Sequence, residues 1–380
     1  IKLSVTMKIS IAALSILTVS ILGIFSIHAQ EEAPGMTKMC LFYPSPSGHA
    51  RSDPILNQSC ASDHVHTFYG PQNFHPNTSY EQIRDTSPQY STSPVVENQS
   101  LYWHPSIYEV VIANGQKTYS RVSDLESSPY YRWNTSTSPE TVAFPPGFRM
   151  IAFSNQEGAD QGGEGENNLF VGCCDFTDDG EEVCTSTSGN PLIFPTTACD
   201  ELGVAMAMPT CWDEAKGIGT NDPFGHVAYT IDGTVGGPCP AGYNTRVPQV
   251  QLVVRIVNYK GGTYELSDGS DVFHVDFMNG WQEGKLDEII SGCKPTGEPG
   301  YSPPCDCDQF LTTNEAPASA VCDSDVKEYV LNEETNIVAS LPRGTCQGTN
   351  TLIPKIWAVD PPFLCSDEPP ADDDDLSEDD

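Results

Sequence analysis

The 380-residue chain has little positive charge: 18 Lys and Arg stand against 52 Asp and Glu, for a formal net charge of −34 at pH 7. A surface of that sign repels nucleic acid and anionic lipid, so neither is an expected partner. Calcium, basic proteins and neutral glycans remain compatible with it. Sustained helical periodicity is also missing, and only Lys285 to Ile290 predicts a short helical turn. There is no glycine-rich dinucleotide loop, no serine in a nucleophile-elbow pattern and no zincin histidine pair. Past residue 30 no apolar run is long enough to cross a bilayer, so no stable transmembrane segment is expected after signal cleavage.

What is present points to export. Lys8 follows Met7 and leads into an apolar stretch, Ile9 to Ile27, before His28-Ala29. That layout predicts a secretory signal peptide over 7–29, with a retained signal anchor as the alternative. All 14 cysteines lie beyond it, an even number that predicts a disulfide framework in an exported chain. Four N-glycosylation sequons begin at Asn57, Asn77, Asn98 and Asn134. The expected location is secreted, extracellular or cell wall.

Residues 40–293 read as one β-rich domain. Candidate strands are Ser106 to Ala113, Thr141 to Ala143, Arg149 to Ser154, Gly203 to Met208, His226 to Ile231, Val250 to Tyr259 and Val272 to Phe277. The clearest is Gln251 to Tyr259, rich in β-branched residues and stopped by Gly261 and Gly262. Short strands between Pro-, Gly-, Ser- and Asn-rich loops predict an all-β, jelly-roll-like sandwich. The adjacent Cys173 and Cys174 are expected to bond different partners. A turn-rich linker follows at 294–304, then a cystine-rich segment at 305–366, which predicts a small disulfide-rich C-terminal module. Metal ligation by Cys305 and Cys307 is the disfavoured alternative there. The tail, 367–380, is acidic and expected to be disordered.

The chemistry-bearing residues gather in three short segments. In Asp63-His64-Val65-His66-Thr67-Phe68 an extended backbone points His64 and His66 the same way, with Val65 opposite. The same period places His274 and Asp276 on one face. Between these segments lies Gly225-His226-Val227-Ala228-Tyr229. Imidazoles with a carboxylate suit a divalent metal such as Zn, Cu or Mn. Without a metal, a histidine oriented by Asp276 serves as general base, and Tyr229, Arg149 and Arg255 are candidates to neutralise an acidic sugar or an oxyanion. Trp103 and Trp281 are candidate stacking surfaces for sugar rings. For each of these residues a packed, structural role is the competing reading.

The chain also resembles the fungal and stramenopile secreted proteins grouped as domain of unknown function 1996. The matching stretches are Asp63 to Gly70, Tyr102 to Tyr108, Pro145 to Ile151, Met208 to Asp213, Gly225 to Tyr229, Cys239-Pro240, Arg246 to Gln249 and His274 to Trp281. The resemblance covers about residues 40–293 and places His64, His66, His226, His274 and Asp276 in the family's recognisable blocks. Some members are joined to carbohydrate-binding modules, which implies a wall or matrix polysaccharide context. The leading expectation is therefore an extracellular protein acting on polysaccharide, by hydrolysis or β-elimination, at a histidine-centred site. The alternative is a non-catalytic glycan- or calcium-binding wall or matrix protein.

Overall fold

The structure is a computed structural model that describes residues 35–58, 61–137, 139–154, 168–177, 182–188, 192–294, 305 and 307–315, together with two short strands, Glu328–Tyr329 and Ile337–Val338. The expected signal segment and acidic tail lie outside the described residues. So do most of the linker and cystine-rich segment, and Cys60, Cys322, Cys346 and Cys365.

Alternation of burial sets the architecture. Along Gln249–Tyr259, Val250, Leu252, Val254 and Ile256 are buried, while Gln251, Val253, Arg255 and Val257 are half-buried. That is the period of a strand with one face on a core. It lies inside a six-stranded antiparallel sheet ordered Met36–Cys40, Leu125–Asn134, Gln249–Tyr259, Cys199–Ala207, Leu169–Phe176, Glu182–Ser188. The second six-stranded sheet runs Glu328–Tyr329, Gly48–Ala50, His66–Tyr69, Leu101–Pro105, His274–Met278, Arg149–Phe153. Its pairs are antiparallel except the first, which is parallel.

The two sheets pack face to face. Met39, Tyr131, Val204 and Leu252 of the first meet Tyr102, Met150, Val275 and Phe277 of the second in the main core. The second sheet is unusual in being buried on its outer face as well, so Leu101–Pro105 and His66–Tyr69 are buried at every position. Phe68, Trp103, Ile151 and Met278 form a separate core there, beneath a lid carrying Ile55, Phe74 and Ile83. Ile83 is carried by the short helix Tyr80–Arg84, whose start is fixed by a capping box between Ser79 and Gln82.

The mostly-β sandwich agrees with the expected fold class. Several boundaries move. His226 to Ile231 shortens to Val227–Ala228, and Thr141 makes only one bridge, to Arg246. The expected helical turn is Lys285–Gly292. Five disulfides join described cysteines: Cys40–Cys305, Cys173–Cys199, Cys174–Cys184, Cys211–Cys239 and Cys293–Cys307. Cys173 and Cys174 thus diverge to different partners, and Cys305 and Cys307 are consumed in bonds to the β-domain rather than free for a metal. Among the described residues no helix is long and apolar enough to cross a membrane.

Two buried histidines make the core sensitive to acid. His104 is enclosed between the sheets against Tyr69 and Phe273, and burial lowers its pKa to about 4. His49, beside Thr67, is held well below the usual range, first by burial and then by the Arg121 charge. The unfolded chain takes up these protons first, near pH 6.5, so stability is complete above that pH and falls as pH drops towards the folded values. His104 alone contributes a loss of about 3 kcal/mol across that window. The His104→Gln variant is expected to flatten the decline in a urea-unfolding series between pH 7 and 4. An unchanged slope would show that His104 is not a neutral buried group.

Candidate functional site

The site lies on the outer face of the second sheet, at the margin of its lid. His66 begins the strand His66–Tyr69, and Val65 is fully buried on the opposite side. The backbone period brings His64 round to the same side as His66, with ring centroids 4.3 Å apart. His274–Met278 supplies His274 and Asp276 to that face, and Asp276 sits opposite Trp103 on one side and Ile151 on the other.

The three imidazoles converge through one atom each. His274 Nε2 is 3.4 Å from His64 Nε2 and 3.3 Å from His66 Nε2. The ligand nitrogens of all three lie within 4.8 Å of one another. The other ring nitrogen is tied down in two of them. His66 Nδ1 donates to the Ser52 carbonyl at 2.8 Å, and His64 Nδ1 donates to Asp63 Oδ1 at 2.6 Å. That assignment leaves an Nε2 lone pair on each, facing the cluster.

Electrostatics follow from burial. The His274 pKa is lowered to about 3, chiefly by burial and then by the His64 charge; His66 is held well below the usual range for the same two reasons. The Asp276 carboxyl is raised well above the usual carboxylate range, by burial first and by Asp53 second. Asp276 is 2 % exposed, its Oδ2 has no hydrogen-bond partner, and that oxygen lies 3.8 Å from His274 Nε2. The floor of the cluster is closed by His66 and Asp276. Its mouth is formed by His64 and His274, whose side chains are 12 % and 17 % exposed.

Asp53 and Ser52 belong to this site, and the sequence reading passed over both. Asp53 is buried, its pKa is raised mainly by burial, and its charge in turn raises the Asp276 carboxyl. Its Oδ1 accepts from the Ile55 and Leu56 amides, each at 2.9 Å, so it also folds the loop. Arg51 Nε donates to the Ser62 carbonyl at 2.8 Å, and Ser62 N–H donates back to Arg51. This clasp holds the Ser52 acceptor against His66.

The remaining candidates stand elsewhere. His226 is buried against Phe148 at 5.1 Å and under Gly219, where a Cβ would sit 2.9 Å from the imidazole. The Tyr229 hydroxyl donates to the Ala207 carbonyl and accepts from Asn168, and burial pushes its pKa up. Arg255 points from the outer face of the first sheet, ion-paired with Glu201 at 2.9 Å and bonded to Ser128 and Tyr130. Arg149 reaches the cluster's own face, but its guanidinium holds the lid through the Pro54 and Thr78 carbonyls. Trp103 and Trp281 are packed in the two cores, at 0 % and 2 % exposure, and neither offers a ring face to a sugar. Among the sequons, Asn77 is exposed and Asn57 half-buried, whereas Asn98 and Asn134 are buried. The amide nitrogen of Asn98 is spent on Tyr102 and Tyr43, which leaves no room for a glycan.

The molecule is thus a disulfide-bonded β-sandwich with a three-histidine cluster on the outside of one sheet. The family described as Domain of unknown function (DUF1996) matches over residues 53–281, and the chain belongs to it. That span begins at Asp53 and ends at Trp281, so every member of the cluster falls inside it. No curated protein and no solved structure matches the chain.

Proposed function

We propose that this protein is an extracellular enzyme that hydrolyses a neutral wall or matrix polysaccharide at the His64, His66 and His274 cluster. The observation that carries the reading is the convergence of three Nε2 atoms, two of them on side chains that keep 12 % and 17 % exposure, where an imidazole can activate water. Two further observations narrow the substrate. Arg149 and Arg255, the two arginines that could neutralise a uronate carboxylate, are committed elsewhere, the first to lid carbonyls and the second to Glu201 across the sandwich. The net charge of −34 also disfavours a polyanionic chain. The five disulfides agree with an oxidising compartment.

The test is a screen of the secreted protein against β-glucans, mannan and chitin, with pectate and alginate as acidic comparisons. New reducing ends from at least one neutral glycan are expected. Loss of an activating histidine in His274→Ala should lower that rate about 10²–10⁴-fold. Unsaturated products from the uronate polymers alone, or no product from any glycan, would overturn the reading.

A further inference from the structure

We propose that His64, His66 and His274 are the protein ligands of a single tetrahedral transition-metal ion of the zinc class, with its fourth position beside Asp276. This assigns a cofactor to the cluster and holds whichever substrate is turned over.

The spacing is the first argument. A tetrahedral angle with metal–nitrogen bonds of about 2.0–2.1 Å separates two ligand nitrogens by about 3.3–3.4 Å. The His274–His66 and His274–His64 separations are 3.3 and 3.4 Å, and the third pair lies within 4.8 Å, a gap that small ring movements close. Right-angled octahedral geometry at the same bond length would draw them in to about 2.9 Å.

Charge is the second. With Nδ1 donating to Ser52 and Asp63, two Nε2 lone pairs face the third imidazole at contact distance. Lone pairs brought together repel unless something positive lies among them. A bridging proton satisfies one pair of nitrogens and leaves the third facing it; a metal ion satisfies all three. The acceptors on the far ring nitrogens are those a metal-bound histidine needs, a backbone carbonyl and a carboxylate.

Asp276 is the third, independent of the histidines. Its Oδ2 is buried, without a partner and 3.8 Å from His274 Nε2. A water in the fourth position of the ion supplies the missing donor. The ligand set also chooses the ion. Three imidazole nitrogens suit Zn(II), Co(II) or Cu(II), and calcium and magnesium require oxygen ligands.

The experiment uses the full secreted chain without a histidine tag, stripped with a chelator and titrated with Zn(II) or Co(II) in excess calcium. Calcium occupies carboxylate-rich sites such as the acidic tail and leaves nitrogen donors free. One equivalent of Co(II), with the intense visible bands of a tetrahedral centre, is expected. His64→Ala and His274→Ala should abolish stoichiometric binding. His64 lies outside the strands, so the first variant preserves the fold, as circular dichroism would verify. Asp276→Asn should retain the metal with affinity reduced about 10–100-fold. The proposal is overturned if the stripped protein takes up no stoichiometric Zn(II) or Co(II), or if the folded histidine variants bind as tightly as the parent. Undiminished polysaccharide hydrolysis by metal-free protein would also overturn it while sparing the proposed function. A bound metal with no glycan turned over would do the reverse.

Discussion

Trp103→Ala is expected to destabilise the protein by about 3–5 kcal/mol, the cost of emptying a large aromatic site in a core. Trp103 is fully buried and stacks on Phe68 at 5.4 Å, and Phe68 stacks in turn on Phe74 of the lid at 4.5 Å. The lid cannot collapse freely into the space, because Arg149 fixes it to the Pro54 and Thr78 carbonyls and Ser52 Oγ donates to the Phe74 carbonyl. The cavity term therefore adds to the lost transfer energy. Trp103→Phe keeps a ring on Phe68 and should lose less. The damage should also reach the site. Trp103 is the cross-strand partner of Asp276, so the cavity loosens the packing that fixes this carboxyl beside the cluster. Metal affinity should fall in Trp103→Ala although no ligand has been touched. Chemical denaturation of the two variants measures this. A Trp103→Ala protein of parental stability that has lost only glycan binding would restore the ring to the sugar-stacking role.

The Trp103 case also shows where sequence reading reaches and where it stops. The one-face placement of His64 with His66, and of His274 with Asp276, follows from the two-residue period and could be read directly. Their meeting across 210 residues depends on strand order, which the period does not encode. The Gln249–Tyr259 strand was legible because one face is buried and alternation survives. Leu101–Pro105 was not, because a second core on its outer face erases alternation. The covering residues Phe74 and Ile83 come from a stretch whose prolines and polar residues read as an open loop. Leu125–Asn134 was missed for a related reason: Pro129 stands in the middle of it. The strand tolerates Pro129 opposite Leu252 in the sheet, with its carbonyl accepting from Leu41. Asp53 starts a turn through the Ile55 and Leu56 amides, and only the packing of the lid adds its second role beside the cluster.

Removing Cys40–Cys305 is the other change expected to be severe. The bond spans 265 residues, and chain entropy alone assigns such a closure about 5 kcal/mol of stability, against about 3 for the 10-residue closure of Cys174–Cys184. For a domain of this size the Cys40→Ser/Cys305→Ser protein should melt lower by on the order of 10 °C, and Cys174→Ser/Cys184→Ser by roughly half as much. The native contacts near Cys305 decide how the loss is expressed. Cys40 ends an edge strand of the first sheet, and Cys293–Cys307 fastens the same segment to the end of the helix Lys285–Gly292. Thr312 N–H donates to both Glu97 carboxylate oxygens, and Asn314 Nδ2 donates to the Pro88 and Ser93 carbonyls. These bonds survive the substitution and should keep 307–315 docked, so the effect should appear as an easier global unfolding rather than as local release. Melting and amide exchange together separate the two. Equal costs for the two disulfides would mean that loop length is not what the long bond contributes. Faster exchange confined to 305–315, at an unchanged melting temperature, would mean that the bond secures only the segment it ends in.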